Sequence, residues 1–196
     1  MQKRIERQMT DRSRAATDAL GERFVVISGC SGGGKSALLS ELSQRGHAVV
    51  EESGRRIVQD ELQQGGSALP WLNPIDFARR ALATAITDYG SQAASVRQGG
   101  WVFFDRGIVD AAAAIAYLTG ERALATTEQR YHRRVFLTPP WPELYSTDEA
   151  RRHDFDAAVG EYARLLEVYP SLRYEVYILP KVGISERADH LLKILG

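Results

Sequence analysis

Apolar residues fall into five short runs separated by longer stretches with helical spacing. Phe24-Val25-Val26-Ile27-Ser28 is apolar and β-branched and is ended by Gly29, which predicts a buried strand. Ser36-Ala37-Leu38-Leu39-Ser40-Glu41-Leu42 carries leucines at helical spacing, and Gly46 stops that helix. His47-Ala48-Val49-Val50-Glu51-Glu52 predicts a second strand with carboxylates at its end. Gly54 to Gln64 predicts a polar helix closed by Gly65-Gly66. Asn73-Pro74 opens a long helix: Asn73 suits the N-cap, Pro74 the first turn, and Asp76 the positive helix end. It is expected to run to about Gln98, with a bend at Gly90, before Gly99-Gly100 closes it.

The pattern then repeats. Trp101-Val102-Phe103-Phe104-Asp105 predicts a third strand, again ending in a carboxylate, and an alanine-rich helix follows from about Val109 to Leu118. Arg134-Val135-Phe136-Leu137-Thr138 predicts a fourth strand, cut off by Pro139-Pro140. Thr147 to Val168 predicts a charged helix, capped by Thr147-Asp148-Glu149 and stopped before Pro170. Tyr174-Glu175-Val176-Tyr177-Ile178-Leu179 predicts a fifth strand and Ser185 to Leu195 a closing helix. Short buried strands joined by helical crossovers imply a parallel sheet covered on both faces. The expectation is one α/β domain over residues 23–196, a three-layer α/β/α fold on a five-stranded parallel sheet. Residues 1–22 are polar, lack a core stripe and read as an N-terminal arm.

Composition narrows the function classes. The 196 residues are 44% hydrophobic and 26% charged, ordinary for a globular domain. Twenty-five basic residues balance twenty-five acidic ones, which removes the electrostatic argument for a nucleic-acid or anionic-membrane partner. The longest apolar stretch, Ala111 to Leu118, is too short to span a bilayer. The first twenty residues have no apolar core, so a secretory leader is not expected, and Glu6, Asp11 and Asp18 argue against a transit peptide. A cytoplasmic location is the expectation. Cys30 is the single cysteine, too few thiols for a disulfide framework or a cysteine-based zinc site, and His132 and His153 form no ligand-like group. Only Lys3, Lys35, Lys181 and Lys193 are lysine, against twenty-one arginines, so Lys35 stands out.

Lys35 belongs to Gly29-Cys30-Ser31-Gly32-Gly33-Gly34-Lys35-Ser36, which fits G-x-x-x-x-G-K-[ST] between a strand and a helix. Glycines there let the backbone wrap phosphate oxygens and aim N–H groups inward, and the helix start adds its dipole. Lys35 can reach the β- and γ-phosphates and the Ser36 hydroxyl can ligate Mg²⁺. With Ala37 next on the helix, Gly29 to Ala37 is the expected nucleotide-binding segment. Cys30 reads as a small residue with its backbone facing phosphate.

Asp105 ends an apolar strand at the ligand-facing sheet edge and is the second candidate Mg²⁺ ligand, or a cap of the next helix. The next residue is Arg106, not the water-polarising glutamate of many hydrolytic ATPases. Glu51 and Glu52 end the second strand. A carboxylate there can accept the proton of an acceptor hydroxyl, bind magnesium, or simply form a solvated strand end, and alternation slightly favours one of the pair, taken as Glu52. The segment of about 139–155 reads as a lid whose Arg151 and Arg152 would close over transferred charge, or pair locally with Asp148, Glu149 and Asp154. Arg55 and Arg56 read as a solvated helix face. Trp71, Leu72, Asn73 and Phe77 are candidate acceptor-pocket residues, although packing suits Trp71 and Phe77. Pro180-Lys181-Val182-Gly183 lacks the Asn/Thr-Lys-x-Asp element that reads guanine, which leans toward adenine.

Together Phe24 to Leu42, Val49-Val50-Glu51-Glu52, Phe103-Phe104-Asp105-Arg106-Gly107, and Val135 to Trp141 followed by Arg151-Arg152 resemble a P-loop family of predicted ATP-binding proteins labelled as an AAA domain. The layout is also similar to nucleoside and nicotinamide-riboside kinases. The resemblance implies ATP and Mg²⁺ binding by the residues above. Three functions are compatible: a small-molecule kinase with catalytic residues Lys35, Glu52, Asp105, Arg106, Arg151 and Arg152, a nucleotide-dependent binding module with a protein partner, and a ring-forming ATPase. The kinase is the preferred expectation.

Overall fold

The three inner strands are buried on both faces, the two edge strands are only partly covered, and alternate strand residues feed two separate cores. The computed structural model describes residues 21–92, 100–121, 129–144 and 155–196. Among them the chain runs β1 (Phe24–Gly29), α1 (Lys35–Gln44), β2 (Ala48–Val50), α2 (Ser53–Gln64), α3 (Pro74–Ser91), β3 (Val102–Asp105), α4 (Ile108–Thr119), β4 (Arg134–Thr138), a 3₁₀ turn (Pro142–Leu144), α5 (Phe155–Ser171), β5 (Glu175–Ile178) and α6 (Ile184–Leu195). The five strands form one sheet in the order β2-β3-β1-β4-β5, and every pair is parallel.

Phe24 and Val26 of β1, Val102 and Phe104 of β3, and Val135 and Leu137 of β4 share one core with Ala85 and Tyr89 of α3, Val109 of α4, and Leu165 and Tyr169 of α5. Val25, Ile27, Phe103 and Phe136 point the other way, against Leu38, Leu39 and Leu42 of α1 and Ala188, Leu191 and Leu195 of α6. This period-two division builds the α/β/α sandwich. No helix among the described residues is long and apolar enough to cross a membrane.

Several boundaries differ from the sequence pattern. β2 ends at Val50, so Glu51 and Glu52 lie beyond the strand and Glu52 is the N-cap of α2. α3 ends at Ser91, with Gln92 as its C-cap, and the rest of the expected helix, residues 93–98, lies outside the described residues. Its Asn73 side chain does accept the Asp76 amide, at 3.2 Å. α5 does not stop before Pro170 but contains it. The terminating device is Arg173, in the left-handed region at φ 65°, with the Tyr174 amide reaching back to the Tyr169 carbonyl at 3.1 Å. The cap Thr147-Asp148-Glu149 and residues 1–20 of the N-terminal arm lie outside the described residues.

Candidate active site

β1 is the central strand, so the loop that follows it opens between β3 and β4 at the carboxyl edge of the sheet, where ligands of open α/β folds bind. Gly29 turns the chain at φ +108°, and a Cβ there would lie 2.4 Å from the Thr138 carbonyl oxygen. The loop is tied to β4 by the Cys30 amide, which donates to the Thr138 carbonyl at 2.9 Å. The Cys30 N–H is therefore engaged with the sheet and does not face a phosphate, which corrects the sequence reading. The Cys30 carbonyl instead accepts from Lys35 Nζ at 3.0 Å and from the Gly33 amide at 3.1 Å.

No side chain among the described residues caps α1, whose N-cap Gly34 is left-handed at φ 82°. The first-turn amides are thus open to an anion. Lys35 is buried, and desolvation, with Arg106 second, lowers its pKa. Ser36 and Ala37 are exposed on that turn. Ser31, Gly32 and Gly33 complete the loop.

Ser36 and Asp105 come together across the sheet edge, Ser36 Oγ lying 3.5 Å from Asp105 Oδ2. Asp105 is buried, and its Oδ1 has no hydrogen-bond partner. Desolvation and the neighbouring Glu52 carboxylate raise its pKa from 3.8 to about 6, against the pull of Lys35 and Arg106. A buried, unpartnered carboxylate oxygen beside a hydroxyl fits a hard cation such as Mg²⁺, which keeps water and phosphate oxygens in its remaining positions. Among the described residues no group of three or more His, Cys, Asp or Glu is arranged to hold a metal ion.

Arg106 is the hub of the site. It is left-handed, at φ 63°. Its guanidinium meets Glu161 with Nη1 at 2.8 Å and Nη2 at 3.0 Å, and Nη2 also donates to the Gly29 carbonyl at 3.3 Å. Nε lies 3.0 Å from Glu52 Oε1, close enough to attract by charge but off the N–H axis, so no hydrogen bond forms. Asp110 Oδ1 is 3.5 Å from Nη1. Burial opposes the charge, but Glu161, Glu52, Asp110 and Asp105 outweigh it and raise the arginine pKa above its ordinary value.

Asp110 in turn accepts from Ser28 Oγ, from the Gly107 amide at 2.9 Å and from Tyr169 OH at 2.6 Å. Asp110 stands three residues into α4, where a carboxylate caps a helix start, and that spacing was the available sequence signal. Glu161 lies mid-helix in α5, and nothing local marks it.

An apolar cleft opens beside this hub. Phe77, Ala78 and Ala81 of α3, Val58 of α2, and Ala111 and Ala114 of α4 form its walls, and Glu52, Arg106, Asp110 and Glu161 its polar end. A polar recess on the other side holds Ser36, Glu51, Glu52, Arg55 and Asp105. Glu52 lines both. Glu51 is exposed on the recess side. Of the four acceptor-pocket candidates only Phe77 is in the cleft wall, while Leu72 is largely exposed. Arg55 lines both spaces, and Arg56 pairs with Asp88 of α3. Arg151, Arg152 and residues 145–154 of the lid segment lie outside the described residues.

Solved structures share this architecture at low identity. Deoxyadenosine kinase from M. mycoides, crystallised with dCMP and a flexible dCDP, superposes with a TM-score of 0.58 at 10% identity, covering 88% of this chain and 98% of that one. The same enzyme with dATP gives 0.53 at 10% identity with the same coverage. Thymidylate kinase from Ehrlichia chaffeensis gives 0.50 at 15% identity, covering 90% and 99%. No curated protein matches the sequence. A family model described as an AAA domain matches residues 24–187, which takes in all five strands, the phosphate-loop segment and the Arg106 hub, and the chain belongs to that family.

Proposed function

We propose that the protein is a small-molecule kinase that transfers the γ-phosphoryl group of ATP to an acceptor hydroxyl. The observation that carries this reading is the position of Glu52, which lines both the apolar cleft and the recess containing Ser36 and Asp105. A carboxylate between an apolar cleft and a phosphate site is placed to take a proton from the attacking group. In the reaction, the acceptor oxygen attacks the γ-phosphorus, the bond to the ADP oxygen breaks, and the hydroxyl proton passes to Glu52.

Ser36 Oγ and Asp105 would hold Mg²⁺, which when bound offsets charge on the β- and γ-phosphates. Lys35, now on the Cys30 carbonyl, would swing to the phosphates. Arg106 was expected to offset transferred charge directly, but its cation already faces Glu52, Glu161 and Asp110. We assign it to holding Glu52 in place. An acceptor entering the cleft would meet three carboxylates, Glu52, Asp110 and Glu161, against the two cations Arg55 and Arg106, a small negative excess that favours a neutral hydroxyl compound over a phosphorylated one. The fold shared with deoxyadenosine kinase and thymidylate kinase is compatible with this chemistry.

The test is ADP release from ATP·Mg²⁺ with and without nucleosides, nucleotides and hydroxylated vitamins. Stimulation by one acceptor, lost in Lys35→Ala and strongly reduced in Glu52→Gln with ATP binding retained, supports the kinase. Tight nucleotide binding with slow turnover unmoved by every acceptor would replace it with a nucleotide-dependent binding module.

A further inference from the structure

Arg187, on the first turn of α6, is fully buried, with 0% of its surface exposed. Its Nη1 donates to the Gly33 carbonyl at 3.1 Å, and a Cβ added at Gly34 would meet the same nitrogen at 2.9 Å. The guanidinium therefore lies against two consecutive residues of the phosphate loop. Its other face is turned toward the Trp141 ring, 5.6 Å from the centroid. Nε and Nη2 have no hydrogen-bond partner, and no ion pair forms with any carboxylate among the described residues.

Two physical consequences follow. A trans peptide is planar, with C=O and N–H pointing in opposite directions. Holding the Gly33 carbonyl toward Arg187 therefore turns the Gly34 amide to the opposite side of the peptide, away from the guanidinium. In addition, an unpaired buried cation is unfavourable unless a counter-charge arrives. Desolvation lowers the arginine's pKa in keeping with that strain. An apolar side chain of similar length would fill the same space without this penalty.

We propose that Arg187 is a positioning residue for nucleotide phosphate: it acts through the Gly33–Gly34 peptide, and its buried cation is compensated when a polyphosphate anion fills the loop. This rests on the nucleotide-binding reading of that loop. It goes beyond it by assigning part of the affinity to a side chain outside the motif, 151 residues after Ser36.

The test compares wild type with Arg187→Met and Arg187→Lys, using calorimetric titration of ATP and of inorganic tripolyphosphate, together with the thermal midpoint of the unliganded protein. In Arg187→Met, affinity for both probes falls about tenfold or more, the size of one charge-assisted hydrogen bond. The unliganded midpoint holds or rises, and Arg187→Lys recovers part of the affinity. A purely structural arginine gives the opposite pattern, a lowered unliganded midpoint or failure to fold with Met. Either result overturns the proposal, as does affinity within twofold of wild type. Loss confined to ATP, with tripolyphosphate unchanged, also overturns it, by pointing to the base. Wild type that binds neither probe removes the nucleotide-binding reading itself.

Discussion

Arg106 at the end of β3 and Glu161 in the middle of α5 meet fork to fork, at 2.8 and 3.0 Å, across 55 residues of sequence. The pair fastens α5 to the sheet edge beside the phosphate loop. It also helps hold Arg106 in a left-handed conformation that disfavours a residue with a side chain by about 1–2 kcal/mol. Glu161→Ala leaves a buried guanidinium short of one carboxylate. Because Glu161 is one-third exposed, we expect a loss of about 2 kcal/mol, below the range for fully buried pairs. Arg106→Lys does not reproduce the two-pronged contact. Urea unfolding measures both; a Glu161→Ala protein as stable as wild type would sink the assignment.

Two glycines give opposite expectations for the same substitution. Gly29→Ala drives a Cβ against backbone atoms of Thr138, at 2.4 and 2.5 Å, at a positive φ. It should destabilise the fold by roughly 2–4 kcal/mol. Gly90→Ala, near the end of α3 with nothing among the described residues within 4 Å of the added carbon, should stabilise by about 0.5–1 kcal/mol. Paired denaturation curves check the contrast.

Asp105 sets a pH dependence. Its pKa is raised from 3.8 to about 6, so the folded state binds this proton more tightly than the unfolded one. The resulting stabilisation is full below pH 3.8 and lost as pH rises through about 6. Asp105→Asn should therefore gain stability over wild type above pH 6 and show little gain at pH 4. An ionised carboxylate is needed to hold a cation, so the tightening of ATP binding by Mg²⁺ should grow between pH 5 and 7.5 in wild type. It should stay flat in the asparagine variant. Calorimetry at both pH values decides; equal Mg²⁺ effects at pH 5 and 7.5 would count against Asp105 as the ligand.

Tyr169 closes one side of the polar network, donating to Asp110 at 2.6 Å from full burial. Tyr169→Phe removes one buried hydrogen bond without opening a cavity. The expected loss is about 1–2 kcal/mol in thermal or urea unfolding. An unchanged midpoint would mean that Ser28 and the Gly107 amide suffice for Asp110.

The sequence by itself determined the parts of this protein that are local. The continuous apolar runs from Phe24 and Val102 specify strands, and such runs imply burial on both faces in a parallel sheet between helices. The glycine loop, Lys35 and Ser36 are legible because their chemistry is contiguous along the chain. Capping at Asn73 is equally local. The end of α5 was not legible, because the helix passes through Pro170 and is closed instead by Arg173, a non-glycine residue in the left-handed region.

Only the tertiary structure decided what surrounds the phosphate loop. The strand order puts β1 between β3 and β4, and this brings Asp105 to Ser36 and Thr138 to Cys30. Glu161 and Arg187 reach the site from helices distant in sequence, where each looks like one more charge on an amphipathic face. Their meaning comes from burial, because the low-dielectric interior converts an ordinary glutamate or arginine into a group that must find a counter-charge.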